Sequence, residues 1–479
     1  MATPASAPLR PTPPAKPSSG AAAKTRKRRR KSRFLKRRWF GWMRLLVSRR
    51  ALLVYTLLGA TVAVFGMGGV FPSVYFPAYG LIELALVIGG IRVLAGRIPY
   101  RFDLLHVGLI AVWCYGLGEW YFRISPVARL GLTSLMHGGV AVATFFIFSQ
   151  LYQREQDQGW IGSWISLLVL ALAALGLAQW ETAPHLIYWH FSYPYAHSFG
   201  PFVDRDEFAA CMELLLPVSF WQVLRQRDRP DRMLLWGIAP LAGFIAVVVS
   251  RSLAGTLVVV CEGALGLGLG WYLQTRRTRK PRSDAAKAAE VSRSQRRQAR
   301  NQRIMLWGLG GLALAAFTLY FTGLGNVGAR MLHLGTDISG HDRLLLDKIT
   351  LRLWWQRPWL GWGLGTWRRA YFNLLPARTY SYFLYAHNDW LQLLAEMGVV
   401  GLASLLILGG WGYMRLWRTR KWPRSQRNHL GWAAGLGCAG ILLHSTVDFP
   451  LHMPANLLLF AIFMSVMSHP GTIDRDDSI

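Results

Sequence analysis

The chain has 479 residues, of which 52% are hydrophobic and only 16% charged; soluble domains carry about 25% charged residues. Its apolar residues recur in blocks near the ~20 residues that cross a bilayer, which excludes an ordinary soluble enzyme. The formal net charge is +30, but the basic residues sit in the N-terminal tail and in short stretches between apolar blocks, so the pattern is positive-inside and no nucleic acid is expected as a partner.

Residues 1–48 form a disordered basic cytoplasmic arm, Pro/Ala/Ser-rich and then dense in Lys and Arg from Lys24 to Lys31. The first apolar block starts at Ala51, too far in and too long for a signal peptide, and is expected to stay as an anchor. Hydrophobicity predicts transmembrane helices over 51–71, 74–95, 104–122, 130–150, 160–180, 207–224, 233–250, 253–273, 304–322, 392–416, 429–447 and 455–468. The fold class is therefore an all-α integral membrane protein of about 12 spans. Its parts are a bundle of the first nine helices (49–322), a large external loop (323–391), the last three helices (392–468) and a short cytoplasmic tail (469–479).

Loop charge sets the orientation. The run ending at Arg49 and Arg50 keeps the N-terminus inside. Alternation then makes 92–103, 225–232, 274–303 and 417–428 cytoplasmic, and all four are basic. Both termini come out cytoplasmic. The segments 181–206, Ser250–Arg251, 323–391 and 448–454 fall outside. Within the large loop, 342–357 reads as an amphipathic helix with Leu345, Ile349, Leu353 and Trp354 at helical spacing, ended by Pro358. Such a helix lies on the membrane interface or packs over the bundle. Gly361, Gly363 and Gly365 form a tight backbone turn; no strand precedes them, so they are not a dinucleotide fingerprint.

Chemistry-bearing residues concentrate in that loop. It holds Arg330, Arg343, Lys348, Arg352, Arg357, Arg368, Arg369 and Arg378 against Asp337, Asp342, Asp347 and Asp389. An arginine excess there suits a phosphate or pyrophosphate held by guanidinium forks, or else lipid headgroups and the four acids. Arg251 stands at a break between apolar blocks, facing a polar cavity or snorkelling to the interface. His387 lies where the loop re-enters the membrane, as a candidate base or as the neighbour of a helix cap at Asn388 or Asp389. Glu83, Glu119, Glu213 and Glu262 lie in apolar spans, the pattern a transporter would use. Cys114, Cys211, Cys261 and Cys438 read as small buried hydrophobes; no metal motif is visible, since His333, His341 and His387 are scattered.

The C-terminal half resembles the O-antigen ligase/polymerase family of bacterial membrane glycosyltransferases. The resemblance consists of Arg343, then Trp354, Pro358, Gly361, Gly363 and Gly365, then His387-Asn388, then Glu396, Gly398 and Gly401. The stretch from Asp448 to Asn456 is similar too, as is Gly200 to Pro217, although many members have Asn where this chain has Asp204 and Asp206. The resemblance implies a metal-independent, cofactor-free enzyme of the bacterial inner membrane. It would move a glycan from undecaprenyl pyrophosphate to an acceptor on the outer side: lipid A–core in the ligase branch, another lipid-linked glycan in the polymerase branch, a protein hydroxyl in a third. By this likeness Arg251, Arg343 and His387 are the expected catalytic residues. Arg205, Arg352, Asn388, Asp389 and Asp448 are further substrate-binding candidates. Members usually read S-G-R near the second arginine, whereas this chain has Ser339-Gly340-His341-Asp342-Arg343. The alternative of another class is a small-anion transporter resting on the intramembrane glutamates.

Overall fold

A backbone in lipid must satisfy its own N–H and C=O groups, so long apolar blocks fold as helices. A computed structural model describes residues 45–98, 102–122, 128–152, 155–184, 186–193, 197–226, 229–275, 338–374, 383–419 and 429–469. The predicted span 304–322, nearly all of the loop 274–303, most of the N-terminal arm, most of the C-terminal tail, and Arg330, His333 and Arg378 lie outside the described residues, as do the side chains of His341 and Asp342. The chain divides into two units, Met1–Leu52 and Leu53–Ile479. Of the first, only 45–52 are described, and they open helix α1 (Arg49–Phe65). The packing below belongs to the second unit.

The bundle continues with α2 (Pro72–Leu94), α3 (Leu104–Tyr121), α4 (Ala128–Leu151), α5 (Glu155–Thr182), α6 (Arg205–Arg225), α7 (Pro230–Val249) and α8 (Leu253–Thr275). Then come α9 (Ile338–Gln356), the short α10 (Trp367–Ala370), α11 (Asp389–Thr419), α12 (His429–His444) and α13 (Pro454–Ser468). Each predicted span within the described residues is helical over most of its length, although the helix in 51–71 stops at Phe65 and that in 429–447 at His444. Six of these helices (α2, α4, α5, α6, α7 and α11) are long and apolar enough to cross a membrane. The apolar stretches of α8, α12 and α13 are shorter. The all-α expectation needs one small amendment: the segment after α5 forms an antiparallel hairpin of β1 (Leu186–Ile187) and β2 (Phe191–Ser192).

α6 is the centre of the bundle. It packs against α5, α7, α8, α12 and α13, and every residue from Glu207 to Ser219 is buried. A helix enclosed on all sides must be apolar all round or pair its polar groups internally. Glu213 does the latter, as described below. At the end of the bundle where α3 starts and α11 finishes, Asp103 caps α3 by accepting from the backbone N–H groups of Leu105 and His106 and pairs with Arg415. That pair ties the first turn of one helix to the last turns of another.

The glycine motif and the start of α11 form one fitted unit. α11 is broken at Gly398, which has φ 63°, and the turn after Pro358 threads into the break. Val399 N–H donates to the Pro358 carbonyl (2.9 Å), Trp362 N–H to Ala395 (3.0 Å) and Gly363 N–H to Glu396 (2.8 Å). A Cβ at Gly398 would lie 2.1 Å from the Trp359 carbonyl oxygen, so only glycine fits. The Glu396 carboxylate accepts from the N–H groups of Gly365 (2.8 Å) and Trp367 (3.0 Å). The tight turn expected at Gly361, Gly363 and Gly365 is present, all three having positive φ.

α9 ends just before Pro358, as expected. Its buried side chains Leu346, Ile349 and Leu353 share a core with Trp367 and Tyr371. Trp367 stacks on Tyr371 with centroids 4.4 Å apart, and its indole N–H donates to the Thr350 hydroxyl (2.9 Å). This core clamps α9 across one end of the bundle.

Candidate active site

Helix direction decides which polar residues meet. α6 begins at Arg205, α12 finishes at His444 and α11 begins at Asp389, so the start of α6, the turn after α12 and the start of α11 share one end of the bundle. α9 brings Arg343 to the same place. Its guanidinium stands 3.7 Å from Asp206 and 3.7 Å from Asp448, bridging the first turn of α6 to the turn after α12. The Arg343 side chain is 39% exposed, whereas Asp448 is 10% exposed. The arginine therefore faces solvent from an anchored carboxylate.

His387 Nδ1 donates to Asp448 Oδ1 at 3.0 Å. A carboxylate only accepts, so this bond puts the proton on Nδ1 and leaves Nε2 of a neutral ring with a lone pair. The ring is 25% exposed and packs edge-on against Phe449, 4.8 Å away. His387 has φ 53°, a left-handed conformation unusual for a residue with a side chain. The strain is held from both sides. Ala386 N–H donates to Gln392 Oε1 (2.9 Å), and Asn388 caps α11 by accepting from Leu391 N–H (3.1 Å). Burial raises the Asp448 carboxyl, but the His387 hydrogen bond and the His387 and Arg343 charges outweigh it and hold the acid below the ordinary carboxylate range.

Beneath this mouth lies a second histidine pair. His444 Nδ1 donates to Glu213 Oε1 at 2.7 Å, and both side chains are all but inaccessible at 1% and 0% exposure. His444, Asp206 and Asp448 bring one donor atom each within 4.8 Å of one another, a set that could hold a metal ion. The cation that faces the two aspartates there is Arg343. Sequence spacing shows no such set, because its members come from α6, the end of α12 and the turn that follows. Asp204 caps α6 by accepting from Asp206 N–H (2.8 Å). Burial, then the charges of Asp206 and Asp448, push its carboxyl up to about 7.

The remaining predicted residues separate. Asp389 is buried and acts as a hub: it accepts from Ser445 Oγ (3.0 Å), Leu451 N–H (3.0 Å) and His452 Nδ1 (2.5 Å). His452 completes the network by accepting from Gln392 Nε2 at 3.0 Å. Burial alone would lower His452, but the adjoining Asp389 charge and hydrogen bond prevail and raise it. Asn388 and Asp389 thus both hold the re-entry turn in place. Arg205 lies at the first residue of α6, half-buried, with no ion pair among the described residues. Arg251 sits at the break between α7 and α8 with φ 61°, its guanidinium 5.2 Å over the Trp180 ring of α5. It shares the end of the bundle with the cluster but makes no contact with Arg343 or His387.

Arg352 lies apart from Arg343. It is nine residues from Arg343, two and a half turns of helix, and so points about half a turn away round α9, where it is exposed. Sequence reasoning missed Asp206, His444 and His452 as parts of the site. Two signals were available: Asp206 in the Gly200–Pro217 stretch that carries part of the resemblance, and the four-residue spacing of His444 and Asp448 at a helix end.

No curated protein matches this chain. Residues 214–406 match the family model described as O-antigen ligase. That stretch contains Arg251, Arg343, His387 and the fitted Gly361–Gly398 unit, and over it the chain is similar to the O-antigen ligase family.

Proposed function

We propose that this membrane enzyme of the O-antigen ligase/polymerase type transfers a glycan from undecaprenyl pyrophosphate to an acceptor hydroxyl, with His387 as base and Arg343 as the anion partner. The reading rests on one observation above all: Asp448 holds the imidazole of His387 at 3.0 Å and the guanidinium of Arg343 at 3.7 Å. A base oriented by a carboxylate, beside an exposed arginine, is the arrangement that an attack with a departing phosphate requires.

In the proposed step, the acceptor oxygen attacks the anomeric carbon. The bond from that carbon to the pyrophosphate oxygen breaks, and its electron pair leaves with the pyrophosphate. The hydroxyl proton passes to His387 Nε2. Direct displacement inverts the anomeric centre. Arg343 exchanges its long contacts to Asp206 and Asp448 for shorter ones to the phosphate oxygens, whose charge grows as the bond breaks. Asp448 stabilises the imidazolium that forms, as the carboxylate of a catalytic triad does. Arg251 supplies a second guanidinium from the α7–α8 break. The site faces the outer side of a bacterial cytoplasmic membrane, both termini lie inside, and lipid A–core or a growing polysaccharide is the acceptor. The cluster at the bundle end favours this over transport, which usually places its polar site near the membrane midplane.

The test is turnover of a labelled undecaprenyl-pyrophosphate oligosaccharide by purified protein in lipid, with and without candidate acceptors. Release of lipid pyrophosphate by the wild type but not by His387→Ala supports the transferase. A ladder of longer lipid-linked products then means polymerase, and a single transfer to lipid A–core means ligase. Full turnover by the variant overturns the mechanism.

A further inference from the structure

α9 has three faces, and the proposed chemistry uses only one. Leu346, Ile349, Thr350 and Leu353 are buried against the loop core. Arg343, Asp347 and Trp354 occupy the adjoining edge, with Arg343 reaching the site. The remaining face carries Leu344, Lys348, Leu351, Arg352 and Trp355, all exposed. These positions follow the i, i+4, i+7, i+8, i+11 spacing of a single helical stripe, centred about half a turn from the buried one. Trp359 extends the stripe beyond the helix end.

The exposure is large where it is least expected. Trp355 is 76% exposed, Trp359 69% and Leu344 52%. Large apolar side chains left uncovered in one row mark an interaction surface. Its composition narrows the partner. Tryptophans beside Lys348 and Arg352, with no acid in the stripe, match the membrane–water boundary, where indoles sit at headgroup level and basic groups meet lipid phosphates. Asp347, the acid nearest in sequence, lies on the site edge, where it accepts a long contact from Asn388 Nδ2 (3.5 Å).

We infer that the outer face of α9 rests in the headgroup layer of the bilayer, with Trp355 and Trp359 at the hydrocarbon boundary and Lys348 and Arg352 on lipid phosphates. The same helix then holds the membrane surface on one side and Arg343 over the candidate site on the other. The bilayer would set the height of Arg343, and a lipid-linked substrate would meet it at its own headgroup depth. The lipid contact itself depends only on the chain being a membrane protein. Its consequence for substrate rests on the reading proposed above.

The two are separated by a test whose lipid readout needs no substrate. Spin labels are placed one at a time at Leu344, Lys348, Leu351, Arg352, Trp355 and Gln356 of the full chain, with Cys114 and Cys261 replaced, in phosphatidylcholine vesicles containing phosphatidylglycerol. Collision rates with oxygen, which concentrates in lipid, are compared with those of a water-soluble nickel chelate. The expected result is a helical oscillation of the oxygen-to-nickel ratio, several-fold higher at Trp355 and Leu351 than at Gln356. A uniformly low ratio, with all six positions open to the nickel reagent, overturns the proposal. Labels at exposed positions leave the fold intact, and retained turnover by each labelled protein checks it. A failed oscillation with intact turnover removes the lipid contact alone; an oscillation without turnover by any protein removes the transferase reading alone.

Discussion

Two of this protein's histidine–carboxylate pairs lie one above the other, and they differ in depth more than in chemistry. His387 and Asp448 meet at 3.0 Å at the bundle mouth, with the imidazole 25% exposed. His444 and Glu213 meet at 2.7 Å, both buried. In each, Nδ1 faces a carboxylate. At the mouth, Nε2 can reach a substrate and the proton has a way out. In the interior no substrate can arrive, and the pair serves to keep a carboxylate compatible with the central helix α6. Exposure assigns the role: the outer pair is the candidate base and its orienter, the inner pair a support.

The largest effect should come from the mouth. His387→Ala should lower turnover by about 10²- to 10⁴-fold, the usual value of a positioned base, with the melting temperature nearly unchanged. A loss of folding instead would make His387 structural and erase the difference between the pairs. Next, Arg343→Lys should cost roughly 10- to 100-fold in turnover, because a point charge does not reproduce a planar fork; unaltered rates would detach Arg343 from the phosphate.

The inner pair should respond in the opposite way. His444→Ala leaves Glu213 buried without its partner, and removing one member of a buried pair costs about 3–5 kcal/mol. Denaturation in detergent should show that loss, and the double replacement His444→Leu with Glu213→Leu should recover much of it. A folded, stable His444→Ala protein with altered pH–rate behaviour would instead place His444 in the chemistry.

The smallest effect concerns Asp204. Its carboxyl is raised to about 7, so the folded state keeps a proton that the unfolded chain gives up near its ordinary value. Stability from this group therefore falls as pH rises from about 4 to about 7, and above that the charge faces Asp206 and Asp448 in full. Asp204→Asn preserves the helix cap and removes the charge. It should raise the melting temperature by a few degrees at pH 8 and make little difference at pH 4. Equal gains at both values would mean that charge is not the cause.

Much of this was legible because membrane helices announce themselves. The apolar blocks, the Pro358 stop, the left-handed glycines and the cap at Asn388 all follow from local rules acting within a few residues. His387 and Arg343 were nameable by likeness to a family, and the structure brings them to one carboxylate. Asp389 was legible as polar and close to the site, but not as a hub, since its partners Ser445, Leu451 and His452 lie on the turn after α12. The direction of Arg352 was not legible, because net loop charge carries none: which way an arginine faces depends on its angle round α9.

The sequence by itself determined the helical, membrane-spanning architecture, because hydrophobic length and backbone satisfaction in lipid leave few other solutions. It also determined the break at Gly398, where a side chain would strike the Trp359 carbonyl. Only the tertiary structure decided which carboxylate orients His387, which arginine shares it, and that Asp206 and His444 stand beside them. Those residues sit on α6, on α9, at the end of α12 and at the start of α11, and no periodicity along the chain records which helix ends meet.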